Sequence, residues 1–417
     1  MAVTKKNIRQ QLGTATALLL GQEAIAEDAT LYNNWNVDLG YLRYEEPDKI
    51  AVDTYMAMIN GDLSPTDNIK LGLVFDTLSG ATPSGALPSN GGGGTTFTGV
   101  SGGQTNAGGG DTGLVKFDDT RLAFDATWSH EWQRLIRSKT SAYVSVEGDY
   151  TAVGGSLGIE KDTEDRAYTF SAAVGLAADT VGRSDETTPQ PLSNTGDALF
   201  NDTGTKNTYD GLIGITRVIN KRTVAMATYT YSTALGYHTD PYKIISVADA
   251  EDAQLATLYE SRPDERTRQI LYTKLVHELP KTGNHFAMSY RYHTDSWDLN
   301  SHTLETHYSY RVSNNHLLEP FWRLYHQQAA NFYTRTIEYD PNTQNNLSDV
   351  TLPEFASSDS RLSELMSNTL GIKYRYKTSK TGSIDLRAAY IYRDYSNAIT
   401  KDEGNYFVTL SFGKGFE

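Results

Sequence analysis

The stretch Asn405-Tyr406-Phe407-Val408-Thr409-Leu410-Ser411-Phe412-Gly413 alternates polar and apolar residues. A period of two is typical of a β-strand that has one face in an apolar environment and the other in a polar one. The same pattern recurs at 69–75, 121–130, 141–149 and 383–390. Long two-faced strands need two environments, and a membrane barrel provides them because its outer face meets lipid and its inner face meets water.

The composition favours a membrane protein that crosses with strands. The 417 residues are 38% hydrophobic and have a mean hydropathy of -0.48, and no apolar run has the length of a membrane-spanning helix. Tyrosine dominates the aromatic residues, with 27 Tyr against 13 Phe and 5 Trp, which is typical of an aromatic girdle at the lipid–water interface. Cysteine is absent, which excludes disulfides, thiolate catalysis and Cys-ligated metal sites.

Residues 1–26 have the features of a secretory signal peptide. Lys5, Lys6 and Arg9 precede an apolar stretch at 12–21, and Ala24-Ile25-Ala26 forms a small-x-small cleavage site. The alternative is an amphipathic N-terminal helix, since Gly and Thr interrupt the apolar stretch. Residues 27–417 are predicted to form the barrel. The net charge of -14 and the lack of a basic stripe argue against a nucleic-acid partner.

Short and long connections alternate along the chain. Four long polar segments are found at 78–117, 181–204, 236–265 and 335–365. Short turn sequences rich in Gly, Asn, Pro and Ser lie between them at 61–68, 134–139, 161–165, 220–221, 280–283, 313–315 and 379–382. Short periplasmic turns and long extracellular loops are characteristic of bacterial outer-membrane barrels.

The sequence predicts an all-β transmembrane antiparallel β-barrel of about sixteen strands. An even count places both chain ends on the periplasmic side; fourteen and eighteen strands are the open alternatives. The predicted strands are 31–45, 49–60, 66–77, 118–132, 139–149, 150–161, 166–180, 205–219, 222–235, 266–278, 284–296, 300–313, 315–334, 366–378, 380–394 and 403–417.

The 78–117 segment is rich in glycine and nearly free of charge. It is interpreted either as a flexible surface loop or as a constriction folded into the lumen. It is not a phosphate-binding loop, because no Gly-Lys-Ser/Thr sequence follows the glycines.

The stretch Asp76-Thr77-Leu78-Ser79-Gly80-Ala81-Thr82-Pro83-Ser84-Gly85-Ala86 carries a recognisable motif. With the later sequences 293–297, 301–305, 325–333 and 358–363 it resembles a bacterial outer-membrane family classified only as a domain of unknown function. Its motif residues Asp76, Gly80, Pro83 and Gly85 are expected to form an ordered signature loop. Two differences from the family are Pro47-Asp48-Lys49, where a basic residue usually follows the first Glu, and the polyglycine insertion.

The resemblance implies a barrel in the outer membrane of a Gram-negative bacterium. It implies little about chemistry, because the family has no assigned activity; the sequence is expected to encode neither an enzyme nor a cofactor-binding protein. Family members look to be encoded near a flavin-transferring enzyme, thioredoxin-like proteins and a small lipoprotein, which implies a small lipoprotein or a periplasmic redox protein as a partner. Outer-membrane lipid and lipopolysaccharide are the other expected partners.

Strands 284–296, 300–313 and 315–334 carry charged residues on the face opposite their apolar face. The predicted lumenal charged cluster consists of Arg291, His293, Asp295, Glu305, His307, Glu319 and Arg323. A structural network of ion pairs is the main interpretation. Metal binding by its His, Asp and Glu members is the alternative, although the nearby arginines oppose a cation. A serine hydrolase built on Ser301, His302 and Asp295 is disfavoured, because His302 belongs to the lipid-facing register.

A second set of inward residues forms a predicted basic wall of Lys373, Arg375, Arg387 and Arg393. It would face Asp125, Glu131 and Glu147 across the lumen. Such walls either orient polar solutes or pair with each other and close the lumen.

The sequence therefore favours a pore or conduit for small polar solutes, or a sheath around a periplasmic partner. The alternatives are a plugged surface scaffold or receptor that binds a partner through its long loops and, third, an outer-membrane hydrolase. No catalytic, cofactor or metal residues are assigned.

Overall fold

The computed structural model describes residues 35–47, 49–87, 96–98, 104–106, 114–196, 200–342, 344, 346–399 and 403–416. The proposed signal peptide lies outside these residues, as does most of the polyglycine stretch. In chain order the strands are β1 (Trp35–Glu46), β2 (Ile50–Asp62), β3 (Asp67–Pro83), β4 (Thr96–Thr98), β5 (Gln104–Asn106), β6 (Leu114–Gln133), β7 (Ile136–Glu147), β8 (Tyr150–Asp162), β9 (Tyr168–Val181), β10 (Thr187–Pro189), β11 (Phe200–Asp202), β12 (Gly204–Asn220), β13 (Thr223–Gly236), β14 (Ile244–Ala248), β15 (Gln254–Tyr259), β16 (Glu265–Glu278), β17 (His285–Asp295), β18 (Ser301–Arg311), β19 (His316–Gln327), β20 (Ile337–Glu338), β21 (Glu364–Lys377), β22 (Gly382–Ser396) and β23 (Glu403–Phe416). Two 3₁₀ helices span Leu347–Asp349 and Ser360–Leu362.

Sixteen of these strands form a closed antiparallel barrel, as the sequence predicts. Their order is β1-β2-β3-β6-β7-β8-β9-β12-β13-β16-β17-β18-β19-β21-β22-β23. The barrel closes where β1 pairs with β23, from Trp35 opposite Phe416 to Glu45 opposite Tyr406. Closure leaves no free sheet edge, which is the condition for a β-structure to span lipid. No helix in the described part of the chain has the length and apolar character of a membrane-spanning helix.

The two faces of the strands differ as the period-two pattern predicts. In β23, Tyr406, Val408, Leu410 and Phe412 are exposed, whereas the intervening Thr409 is buried inside the barrel. The other strands repeat this outward apolar face. A continuous apolar outer surface of this kind is matched to the hydrocarbon of a membrane.

The connections at the two ends of the barrel have different lengths. Short turns join the strands at the end that holds the first residue of β1 and the last of β23. The long connections 84–113, 182–203, 237–264 and 328–363 lie at the opposite end. This confirms the predicted asymmetry, and it places the long loops on the extracellular side of an outer-membrane barrel.

Two predicted strand boundaries are wrong. The strand predicted at 66–77 continues to Pro83, where β3 pairs with Leu114 of β6. Gly80 therefore pairs with Ile50 and Phe117 in the ladder, and the long loop begins at Ser84, not at Leu78. The residues of this extension are small and do not alternate between polar and apolar. Alternation is not required there, because this part of the strand lies beyond the band that contacts lipid.

The strand predicted at 315–334 is shorter, and β19 ends at Gln327. The next residues fold into the loop region, where Ala330 and Phe332 are buried against Trp297, Leu299 and Leu362. Ala330 and Phe332 are therefore apolar because they belong to a core in the loop region, and not because they face lipid.

Candidate functional site: a capped, charged lumen

The described parts of the long loops form one layer across the extracellular end of the barrel. We call residues 84–87, 182–196, 237–264, 328–342, 344 and 346–363 the loop cap. Tyr242, from the connection after β13, packs against the inward-facing cluster formed by β1, β2 and β3. Because β13 and β1 lie on opposite sides of the barrel order, this connection crosses the mouth.

The loop cap has its own sheet and its own apolar core. Strands β14 and β15 pair antiparallel, and β20 adds to β14 in parallel. The core residues come from two of the long connections and are Ile245, Val247, Leu258, Ile337, Val350 and Ala356. The mainly polar composition of these connections does not predict a core, and the signal that marks it is the run Ile244-Ile245-Ser246-Val247-Ala248.

Hydrogen bonds join the loops to one another. The Ser358 hydroxyl donates to the carbonyl oxygens of Gly85 at 2.7 Å and of Ile244 at 3.0 Å. The Leu87 amide donates to the Ser246 hydroxyl at 2.9 Å. The cap is therefore a single packed unit built from loops far apart in sequence.

A network of buried charges lies within the loop cap. Arg262, whose side chain is 1% exposed, contacts the Glu260 carboxylate at 2.6 Å and the Asp359 carboxylate at 2.9 Å. The Ser357 hydroxyl donates to Glu260 at 2.5 Å, and Arg361 pairs with Asp359. Each charge is matched by an opposite charge or by hydrogen-bond donors, which buried ions require.

Burial and neighbouring charges shift the ionisation of the cap residues. Burial alone would raise the pKa of Asp359, but the charges of Arg361, Lys243 and Arg262 outweigh it and hold the pKa well below its usual range. Burial lowers the pKa of Lys243 to about 8. Burial also lowers the pKa of His238 to about 3, so this imidazole is neutral at neutral pH.

The four signature residues do not form a loop together. Asp76 is 2% exposed in β3 and accepts hydrogen bonds from Arg121 of β6, while Gly80 and Pro83 belong to the backbone ladder. Gly85 alone lies in the turn, with a φ of 98°. A Cβ at Gly85 would lie 2.3 Å from the Ile244 carbonyl oxygen, so glycine is required at this contact with the loop cap.

The predicted charged cluster divides into two groups. Near the mouth, Asp295 pairs with Arg266 of β16 and accepts the Trp297 and Leu299 amides at 3.0 Å each. His293 has an Nδ1 atom that bonds to none of the described residues. Asp295 thus organises the β17–β18 turn.

Further down the lumen, His307 links two carboxylates. Its Nε2 lies 2.7 Å from Glu305 and its Nδ1 lies 3.1 Å from Glu319, and Ser309 donates to Glu319. Arg323 lies 4.0 Å from Glu305, in the cross-strand register that pairs these two residues.

The predicted basic wall is mostly neutralised by its neighbours. Arg375 binds Asp385 through two contacts of 2.7 Å, and Lys373 lies 3.4 Å from the same carboxylate. Arg393 lies 3.0 Å from Glu46 and 3.1 Å from Glu403. Arg387 differs, since its guanidinium lies over the ring of Phe321 at 4.0 Å.

Neither of the alternative chemistries is assembled at the cluster. His302 is exposed on the outer face, with its Nδ1 atom 2.7 Å from the Tyr290 hydroxyl, and Asp295 is engaged by Arg266. The His and carboxylate groups of the cluster do not converge as metal ligands. In the described chain, the group close enough to hold an ion is Asp119, Glu147 and Asp149, whose ligand atoms lie within 4.8 Å of one another.

Both walls of the described lumen carry charge. The wall from β16 to β22 carries inward arginine and lysine residues together with Asp295, Glu305, Glu319 and Asp385, while the wall from β1 to β12 carries inward carboxylates that include Asp38, Asp76, Asp125, Asp179 and Asp210. Some of the latter are paired locally, as Asp179 is with Lys206 at 3.0 Å.

Residues 9–410 match the family described as "Protein of unknown function (DUF3570)". The chain belongs to this family. Together with the sixteen-strand barrel, membership in this family agrees with the predicted resemblance, and the protein is an outer-membrane β-barrel of the Gram-negative type. A comparison with curated proteins finds no match.

Solved outer-membrane barrels are similar in fold. A bacterial polysaccharide outer membrane secretin gives a TM-score of 0.47 at 9% identity, covering 93% of this chain and 100% of that one. The toluene transporter TodX of P. putida gives 0.37 at 10% identity, covering 92% and 90%. A mutant of the ferric enterobactin receptor PfeA of Pseudomonas aeruginosa gives 0.43 at 8% identity, covering 88% and 54%. These TM-scores are below 0.5, so the likeness supports no inference about function.

Proposed function

We propose that this family member is a gated conduit for small polar solutes, in which the loop cap is the gate. The observation that supports the proposal is the connection 237–264, which crosses the extracellular mouth of a barrel with a polar, charge-lined interior. A lumen of sixteen strands leaves room for water and small solutes. The proposal assigns no catalytic role.

In this proposal the cap opens by separation of its loops from one another, while the barrel sheet stays closed. Its sheet, formed by β14, β15 and β20, is separate from the barrel sheet. Its strands are short, whereas the barrel strands are joined in a continuous closed ladder. Local units of this kind open at a lower free-energy cost than the surrounding scaffold.

A reversible disulfide tests the gate, and the natural chain has no cysteine to interfere. Ser261 and Ala356 form an antiparallel bridge between two loops, with reciprocal hydrogen bonds of 2.9 and 3.0 Å, a spacing that suits a disulfide. The double variant Ser261→Cys with Ala356→Cys should lose conductance in planar bilayers when oxidised and regain it on reduction.

A matched control uses Thr188→Cys with Asn201→Cys, a pair within a single hairpin of one loop. Its oxidation should leave conductance unchanged, because it ties no two loops together. Conductance that persists in the oxidised Ser261–Ala356 variant would show that the cap is not the gate.

A surface scaffold is the second candidate function, and the apolar core within the loop cap favours it because a rigid cap can present a fixed surface to a partner. A small lipoprotein or a periplasmic redox protein would instead enter from the short-turn end, as a sheath requires. These roles would be favoured over the conduit if the Ser261→Cys, Ala356→Cys variant shows no conductance even after its disulfide is reduced, and if the protein specifically captures such a partner.

A further inference from the structure

Arg387 is held between two aromatic rings on the lumenal wall. Its guanidinium carbon lies 4.0 Å from the centre of the Phe321 ring and 5.7 Å from that of Phe407. Among the described residues it has no ion pair, and its Nε atom has no hydrogen-bond acceptor. A stacked guanidinium keeps its N–H donors in the plane of the group, where they are directed past the rings.

The chain is shaped to bring these groups together. Phe321 lies on β19 and Arg387 on β22, with β21 between them. A Cβ at Gly371 of β21 would lie 2.3 Å from the Phe321 ring. The missing side chain therefore lets the ring lie across β21 and reach Arg387. Phe321 also stacks on His307, at a ring distance of 5.5 Å, which fixes its position from the other side.

Two further arginines lie on the same wall without a strong partner. The guanidinium carbon of Arg291 lies 5.7 Å from the centre of the Tyr272 ring, and no carboxylate pairs with it in the described residues. Arg323 is 38% exposed and only approaches Glu305 at 4.0 Å. The charge of Arg323 acts on Arg387 and that of Arg291 acts on Arg323, so the three groups lie near one another. Glu305 and Glu319 also act on Arg387, but both carboxylates bind His307.

We propose that Arg387, with Arg291 and Arg323, forms a binding site for a small oxyanion in the lumen. Planar guanidinium groups bind two oxygens of a phosphate or a carboxylate at once, and they do so most strongly where water is partly excluded. The ligand class is a small oxyanion that presents two oxygens to a guanidinium, and phosphate is the probe used to test it. The inference deepens the proposed conduit by naming a solute class, but binding at the site does not require the cap to open.

Isothermal titration of inorganic phosphate and of pyrophosphate into the full chain, purified in detergent, tests the site. We expect saturable binding that is tighter for pyrophosphate, because two phosphate groups can engage more than one arginine. Arg387→Lys keeps the charge but loses the planar pair of donors, so its affinity should fall at least tenfold. Arg291→Gln should also weaken binding of pyrophosphate.

Arg217→Gln is the matched control. Arg217 also stacks on an aromatic ring, that of Tyr168 at 5.2 Å, but it lies on the outer face with the exposed Ile213 and Ile215. Its replacement should leave binding unchanged. Each variant must first show the heat-modifiable mobility of a folded barrel.

Three results would overturn the site: no binding to the wild-type chain, wild-type affinity in Arg387→Lys, or equal losses in the Arg217→Gln control. None of them bears on the cap, which the disulfide experiment tests separately. Conversely, phosphate binding with no gated conductance would retain the site and remove the conduit.

Discussion

Replacing Arg262 with methionine should loosen the loop cap and leave the barrel intact. Methionine has a similar length to arginine without its charge, so it leaves Glu260 and Asp359 facing each other without the cation that separates them. The side chains of these two carboxylates are 0% and 2% exposed. Removing one partner of a buried ion network typically costs about 3–5 kcal/mol.

That cost sets the size of the expected effect. Since each 1.4 kcal/mol corresponds to a factor of ten, the open fraction of the cap should rise by about 10²- to 4 × 10³-fold. Glu260, Arg262 and Asp359 all lie in the long connections and not in barrel strands, so the pairing of the barrel strands should be unaffected. Hydrogen exchange of the backbone amides at 237–264 and 354–363 should accelerate accordingly, while exchange in β21 and β22 remains slow.

Arg335→Met is the control for this prediction. Arg335 pairs with Asp252 at the surface of the same cap, where the two side chains are 37% and 42% exposed. An exposed pair of this kind contributes about 1 kcal/mol or less, so exchange should change by less than about tenfold. Equal acceleration in Arg262→Met and Arg335→Met, or none in either, would refute the reasoning that burial of the charges holds the cap closed.

Three further predictions concern the orientation of the barrel in the membrane, the side of each strand that faces lipid, and the ionisation of His238. Cysteine at Glu354, exposed in the loop cap, should react with an impermeant maleimide on intact cells, and cysteine at Thr282 in a short turn should not; the reverse labelling would invert the barrel. Leu370→Arg places a charge on the lipid-facing surface, where the side chain is 63% exposed, and should cost roughly 2–4 kcal/mol of barrel stability. Ser289→Arg, in the lumen, should be tolerated. A similar loss of folded barrel in both variants would mean that the lipid-facing and lumenal sides of the strands are assigned wrongly. Burial holds the pKa of His238 at about 3, below the ordinary value of about 6.5, so the unfolded cap binds a proton that the folded cap excludes, and protease sensitivity of the cap should increase as the pH falls from about 6.5 towards 3. His238→Gln should reduce this pH dependence, and an unchanged pH profile would assign it to another group.

The barrel was predictable because its strands face lipid, which imposes a pattern on each strand separately. Every second residue must be apolar, as Leu386 and Leu410 are on the paired strands β22 and β23, and the pattern is visible without knowledge of the partner strand. Neighbouring strands in an up-and-down barrel are also neighbours in sequence, so the pairing of Glu305 with Arg323 follows from the turn between them.

The candidate site was only partly predictable for the same reason. The inward positions of the charged residues follow from the alternation, but their partners do not. Arg387 and Phe321 are separated by a whole strand, and their contact depends on the absence of a side chain at Gly371. No period in the sequence marks such a contact, because it joins residues across β21 and not along it.

The loop cap was the part of the structure that the sequence predicted least. Its buried charges join Arg262 to Asp359, 97 residues further along the chain, and its core packs apolar residues from segments that read as polar loops. An apolar core alone would allow the loops to associate in several arrangements, because hydrophobic contact is not directional. Glu260 and Asp359 restrict the choice, because both are buried and Arg262 contacts both of them, so an arrangement that separates them from Arg262 leaves buried charge less well compensated. The same requirement makes opening cooperative: displacing either loop exposes the ions of both to water, which then hydrates them. A cap held in this way has one closed arrangement and a hydrated open one, and this is the property that a gate needs.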